Sequence, residues 1–343
     1  MTHSDGTKKI LVVTTINGLS HSGIQKLISQ SDEAGYTLLV IGDRKTPNWD
    51  KLKSNSTRFI SIDEQSTLPF ECPRVIGENT YGRKNVGYLL AASEGVNWLS
   101  ETDDDNILYE NFWEFPTDAV SVEHAGVGPW VNIYTLFGYP HIWHRGIPID
   151  HVSDSSKIQT FDEKKILKCG VIQGLADGDP DIDAIGRMLQ RPVTKFDKGK
   201  AFSLRNKSLS PTNSQLTHWN VELLPLMYLP HTISWRVADI WRGLIAQFWM
   251  QQNEWETIYV GAVGYQDRND HDLLLDFAEE IPVHLQTRVL LKCLLNVKAD
   301  SMSGYMTQVY EGLLEAGQVK SSDLEGVRAY LRDCDSVIQI RPS

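Results

Sequence analysis

Residues 82–106 read GRKNVGYLLAASEGVNWLSETDDDN. Val86, Leu89, Leu90 and Ser93 recur at helical spacing, so the first half is expected to lay a helix against a sheet. Gly95 stands where that helix would stop, and Val96, Trp98 and Leu99 then make a brief buried strand. Asp103, Asp104 and Asp105 follow at its end. Acids at the carboxyl end of a strand in an α/β pattern lie where open parallel sheets bind their ligands. In extended backbone, residues two apart point the same way, so Asp103 and Asp105 can face one ligand while Asp104 faces elsewhere. Two like charges on one side repel unless a cation lies between them. Hard oxygen ligands of this kind suit Mg²⁺ or Mn²⁺, with a phosphate completing the shell. The competing reading is an acidic turn that serves only to meet solvent.

Toward the amino terminus, Ile10-Leu11-Val12-Val13 is a continuous apolar run, the mark of a strand buried on both faces of a sheet. It ends in hydroxyls and an amide, Thr14-Thr15-Ile16-Asn17. Gly23–Ala34 reads as a helix and Tyr36–Ile41 as a second strand, stopping at GDRKTP (42–47). A β–α–β unit with polar residues after each strand is half of a doubly wound, nucleotide-binding sheet. No GxGxxG follows the first strand, which argues against a dinucleotide. Asp43 can accept bonds from a base or ribose, or it can simply form the turn beside Gly42. Ile60-Ser61-Ile62 reads as another short strand.

Toward the carboxyl terminus, Trp113, Phe115, Trp130, Tyr134, Phe137, Tyr139 and Trp143 lie among glycines and prolines. Such rings either pack a core or stack on sugar faces. Asp177, Asp179, Asp181 and Asp183 then fall within seven positions. Asp181 or Asp183 can cap a helix over Ala184–Leu189, whereas an EF-hand's twelve-residue pattern is missing. A helix opens at Trp235 and reaches about Gln251, with Val237, Ile240, Trp241, Leu244, Ile245 and Phe248 as its buried stripe. Asp239 and Arg242 sit three apart on it, placed to pair or to meet one ligand. From 271 onward the pattern is helical, over 271–296, 301–316 and 321–333. The expected organisation is an α/β catalytic region over residues 1–270 and a helical region over 271–343.

The formal charge of −11 argues against a surface that tracks nucleic acid, which needs basic patches. It leaves room for a single nucleotide, whose charge a metal and a few basic side chains can offset. The four cysteines form no CxxC pair, so neither a zinc site nor a disulfide framework is expected. No apolar run approaches the roughly 18 residues of a membrane span, and no signal peptide is readable. The expectation is a cytoplasmic protein with no transmembrane segment.

These pieces occur in a familiar order. GDRKTP, GRKNVGYLLAASEGVNWLSETDDDN, FGYPHIWHRGIP, QGLADGDPDIDAIGRM, SPTNSQLTHW, RVADIWRGLIAQ and DRNDHDLLLDF together resemble the STELLO-type family of glycosyltransferases, over roughly residues 10–335. That resemblance implies a GT-A-like fold: α/β, with a mixed, mainly parallel sheet and helices on both faces. It also implies a distant likeness to reversibly glycosylated polypeptides, which act as UDP-arabinose mutases. By the same resemblance the activity is metal-dependent transfer of a sugar from a nucleotide-diphosphate donor, a UDP-sugar, to a glycan or other hydroxyl acceptor in cell-surface polysaccharide synthesis. A nucleotide-sugar mutase and a non-catalytic scaffold are the alternatives.

The resemblance also distributes roles. Asp103 and Asp105 match the DxD element that holds Mn²⁺ or Mg²⁺ on the donor diphosphate, and His271 matches the late histidine that completes the metal shell. Thr14, Asp43, Arg83 and Lys84 fall where the nucleotide is contacted, with Asp104 and Arg242 in the same donor set. Asp239 matches the catalytic base of inverting enzymes. Asp179, between Gly178 and Pro180, is the rival base. Two departures stand out: plant members carry an amino-terminal membrane anchor that this sequence lacks, and His144 replaces a proline of the family's IWPRG.

Overall fold

The computed structural model describes residues 8–114, 122–126, 128–161, 168–204, 207–266 and 272–340. Eleven strands form one sheet: β1 (Ile10–Thr14), β2 (Thr37–Ile41), β3 (Thr57–Ile60), β4 (Trp98–Thr102), β5 (Asn106–Leu108), β6 (Glu123–Ala125), β7 (Thr160–Phe161), β8 (Lys168–Gly178), β9 (Ala201–Leu204), β10 (Leu216–Asn220) and β11 (Trp255–Gln266). Their order is β3-β2-β1-β4-β10-β8-β11-β9-β6-β7, with β5 added onto β11. The pairs among β3, β2, β1 and β4 are parallel, β10 runs antiparallel between β4 and β8, and β8 and β11 are again parallel. The carboxyl ends of β2, β1, β4, β8 and β11 and the start of β10 therefore share one edge. This is the α/β mixed sheet, with helices on both faces, that the sequence implies.

The apolar run in β1 shows why both faces are covered. Ile10 and Val12 pack with Val86, Leu89 and Leu90 of the Lys84–Ser93 helix, while Leu11 and Val13 pack with Ile24 and Leu27 of the Ser22–Ala34 helix. Alternate side chains of one strand feed two cores, so neither set can be polar. Gly87 is required where the Lys84–Ser93 helix crosses the sheet, because a Cβ there would meet the Val12 side chain at 2.4 Å. Ile60-Ser61-Ile62 differs from the expected strand. β3 ends at Ile60, and Ser61 caps the Ile62–Thr67 helix through a reciprocal bond with Glu64.

The helices expected after residue 271 are present as Leu273–Asn296, Met302–Glu315 and Ser321–Ile340. Val283, Leu290, Tyr305, Val309, Tyr310, Val327 and Tyr330 join the same apolar cluster as Val86, Trp219 and Trp241. Asp323 of the last helix accepts bonds from the backbone N–H of His231 (2.7 Å) and of Thr232 (3.2 Å), tying it to the loop before the Trp235–Gln252 helix. Among the described residues, no helix is long and apolar enough to cross a membrane.

Candidate active site

A cavity of about 730 Å³ opens at the shared strand edge. Thr14 at the end of β1 and Thr15, Ile16 and Asn17 after it line the cavity, with Asp43 and Lys45 after β2 and Asp103, Asp104 and Asp105 after β4. Asn213 and Gln215 precede β10, Asp181 follows β8, and Gln266 ends β11. The Trp235–Gln252 helix adds Trp235, Arg236 and Asp239 from its amino-terminal end.

The three acids sit in the turn just past β4, and all three line the cavity, Asp104 included. Asp104 accepts bonds from Thr15 Oγ1 and, at 2.9 Å, from Asn17 Nδ2, which fastens the β1 loop to the β4 turn. Asp103 Oδ1 accepts from Tyr81 Oη at 2.7 Å and Lys84 Nζ at 3.3 Å. Asp105 accepts from Asn106 Nδ2 at 3.3 Å and Gln266 Nε2 at 3.1 Å. Burial, and then the Asp105 charge, push the Asp103 carboxyl up to about 6 against the pull of Lys84 and Tyr81. Two acids close enough to perturb one another and lining one cavity make a donor set that fits a hard divalent ion. No group of three or more His, Cys, Asp or Glu among the described residues converges in a metal-holding arrangement. Phosphate oxygens and water would therefore complete the shell. His271 lies outside the described residues.

Lys84 and Arg242, expected in the donor set, are not among the residues that line the cavity. The Lys84 ammonium is fully buried beneath the turn, donating to the Thr102 and Ser214 carbonyls at 3.0 Å each as well as to Asp103. Its contribution is to hold Asp103 from behind. Arg242 turns away from Asp239 to a stronger partner, Glu101 of β4, at 2.7 Å and 3.2 Å, with Tyr88 Oη at 2.8 Å. Burial opposes charge on Glu101, but Arg242 and Lys84 outweigh it and hold the carboxyl below its ordinary value. Arg83 does line the cavity, but its guanidinium donates to the Pro73 and Ile76 carbonyls at 2.9 Å and 3.3 Å. Asp43 accepts from the backbone N–H of Arg44 (2.6 Å) and Thr80 (3.0 Å), so it shapes its loop while facing the cavity.

Arg145, to which the sequence reading gave no role, organises the opposite wall. Its guanidinium meets Asp181 at 2.8 Å and 3.0 Å and Asp239 at 3.2 Å and 3.0 Å. Asn213 Nδ2 adds a bond to Asp181 at 2.7 Å, and the Ile240 N–H one to Asp239 at 2.9 Å. Burial disfavours the charge on Arg145, yet the two carboxylates outweigh it and hold the guanidinium firmly protonated. His144 packs behind it, with Nδ1 2.7 Å from the Arg145 carbonyl oxygen, and burial keeps this imidazole below its ordinary range.

The remaining acids of the 177–183 cluster go elsewhere. Asp177 accepts the Phe196 N–H at 2.7 Å, Asp183 caps the Ala184–Leu189 helix through the Gly186 N–H at 2.7 Å, and Asp179 pairs with Arg187. Asp179 is not among the residues that line the cavity. The rings Trp130, Tyr134, Phe137 and Trp143 are buried, which settles them as packing.

No family model matches the chain. Among curated proteins it is 25% identical over 326 residues to Probable glycosyltransferase STELLO1 of Arabidopsis thaliana. It is 25% identical over 325 residues to Probable glycosyltransferase STELLO2 of the same plant. The matches cover 88% and 87% of this chain but only 42% and 41% of those relatives. Two structures of glucosyl-3-phosphoglycerate synthase from Mycobacterium tuberculosis were also found, one in complex with phosphoglyceric acid and one with Mn²⁺, uridine diphosphate and glucosyl-3-phosphoglycerate. Each aligns over 86% of this chain and 82% of its own with a TM-score of 0.42, at 13% and 12% identity. An overlap that loose transfers neither ligands nor residue roles. Over most of its length, the chain is similar to the STELLO glycosyltransferases that its motifs resemble.

Proposed function

We propose that this chain is a glycosyltransferase that moves a sugar from a nucleotide-diphosphate donor, a UDP-sugar, to a hydroxyl acceptor of a glycan, in cell-surface polysaccharide synthesis. The observation that carries this reading is the convergence of Asp103 and Asp105 with Thr14 and Asp43 on one cavity at the carboxyl edge of the sheet. Similarity to proteins named as probable glycosyltransferases supports it.

In this reading Asp103 and Asp105 hold Mn²⁺ or Mg²⁺, which stabilises charge on the departing nucleoside diphosphate. Lys84 and Tyr81 fix the direction of Asp103, and Gln266 and Asn106 that of Asp105. Thr14 and Asp43 face the nucleotide, and Lys45, exposed at the rim and in no ion pair among the described residues, meets its phosphates. Asp239 takes the proton from the acceptor hydroxyl, help worth roughly 10²–10⁴-fold. Both its oxygens already accept from Arg145, so the proton goes to a lone pair that Arg145 leaves open.

The test is calorimetric titration of UDP with and without Mn²⁺ or Mg²⁺, followed by release of UDP from a panel of UDP-sugars. Binding and release should both require the cation and stop with chelator. Full turnover in excess EDTA would remove the proposed role of Asp103 and Asp105.

A further inference from the structure

The geometry points to Trp235 as the stacking plate of a saccharide acceptor subsite, an inference that rests on the glycosyltransferase reading. Trp235 is 45% exposed although it lines the cavity, whereas Trp219 and Trp241 are almost fully buried. Leaving so large a ring open to water forfeits burial, so its exposure inside a cavity marks a surface that a ligand covers.

The ring is held in place from behind. The Arg236 guanidinium lies 4.5 Å from its centroid. Arg236 is itself fixed by Asp276 and, at 3.1 Å, by Glu280, both on the Leu273–Asn296 helix. Ser234 caps the Trp235–Gln252 helix by accepting the Arg236 N–H at 3.2 Å and donates to Glu279 at 3.4 Å. Glu279, bonded to Ser234, and Asp239, one helical turn on from Trp235, line the same cavity as the ring. A pyranose offers the complement: an apolar C–H face for the ring and equatorial hydroxyls for the two carboxylates.

Trp235 and Asp43 line the same cavity, and the Trp235 helix has a tie of its own to the segment after β8. Glu280 also accepts the Ala184 N–H at 2.6 Å, which ties Arg236, beside Trp235, to the segment after β8. Asp43 follows β2, four places from β8 in the strand order. β4, whose turn carries Asp103 and Asp105, lies between β2 and β8 in that order. A donor with its base toward Asp43 and its diphosphate at Asp103 and Asp105 leaves the Trp235 end for the acceptor.

The experiment uses the full chain with Mn²⁺ and UDP. Methyl glucoside, galactoside, mannoside and xyloside are titrated by calorimetry and by saturation-transfer NMR, for wild type, Trp235→Ala and Trp235→Phe. At least one pyranoside should bind the wild type, Trp235→Ala should weaken it about tenfold, and Trp235→Phe should stay within about threefold. UDP affinity should be the same in all three. The inference is overturned if no pyranoside binds, if Trp235→Ala binds as well as wild type, or if the substitution weakens UDP instead, which would make the ring a nucleobase plate. Saccharide binding that depends on Trp235 without any UDP binding would support the plate while removing the donor assignment.

Discussion

Arg145→Met tests the organisation of the cavity wall most directly. One buried guanidinium serves two carboxylates, with side chains only 8% exposed for Arg145 and 7% each for Asp181 and Asp239. Removing one partner of a buried pair costs about 3–5 kcal/mol, because the remaining charge is left desolvated. Asn213 and the Ile240 N–H still bond Asp181 and Asp239, which keeps the expected loss near the lower end of that range, about 3 kcal/mol. The assay is urea denaturation of both proteins at about pH 7 and about pH 4.5. Without their cation the two carboxylates take up protons on acidification, so the gap to wild type should narrow by at least about 1 kcal/mol at the lower pH. A loss below about 1 kcal/mol at neutral pH, or one independent of pH, would show that Arg145 is not the charge that holds this wall.

Other outcomes are equally specific. Asp239→Asn should lower sugar transfer by roughly 100-fold with UDP affinity unchanged, while Asp179→Asn, outside the cavity, should leave turnover within about threefold; steady-state kinetics with separate donor titration decides. The Asp103 carboxyl, raised to about 6, must lose its proton to hold a cation, so Mn²⁺ affinity by calorimetry should be flat above that pH and fall about tenfold per unit below it. For the metal-free fold the sign is opposite: the Asp103 contribution is full below the ordinary 3.8 and is lost as pH rises through about 6. Burial drops His218, 2.8 Å from Ser100 Oγ, from 6.5 to about 3. Its contribution is present above pH 6.5 and fades as pH falls, by roughly 3 kcal/mol at about pH 4.5, and His218→Asn should flatten that limb of the stability curve.

Much of the fold was legible because its signals are local. The run at Ile10–Val13, the helical spacing of Val86, Leu89 and Leu90 and the amphipathic helices after residue 271 each reflect burial of one segment's own faces. The placing of Asp103, Asp104 and Asp105 just past a buried strand was legible too. Partner choice across the fold was not. Helical spacing puts Arg242 within reach of Asp239, but only the pairing of sheet and helix reveals that Glu101 is closer and needs a cation more. Arg145 lay unremarked among aromatic residues, since nothing in its neighbours announces two distant aspartates. The four acids at 177–183 looked like one cluster, yet their side chains leave in different directions, and only Asp181 enters the cavity. Trp235 was read as the opening of a helix, with no sign that its ring stays uncovered.

The short strand β5 has a mechanical consequence. It begins one residue after Asp105 and pairs with the end of β11, Asn106 opposite Gln266, although β4 and β11 are separated in the sheet by β10 and β8. The carboxylate turn is therefore a bridge with abutments on two strands, and Gln215 Nε2 props it from below at 3.0 Å from Asn106 Oδ1. A relative slide of β4 and β11 would therefore change the gap between Asp103 and Asp105. The β8–β11 ladder slips register at Val260/Ala262 and Ala262/Gly264, just before that abutment. Substitutions that straighten those irregularities, far from any ligand, should retune cation affinity by stretching or shortening the span.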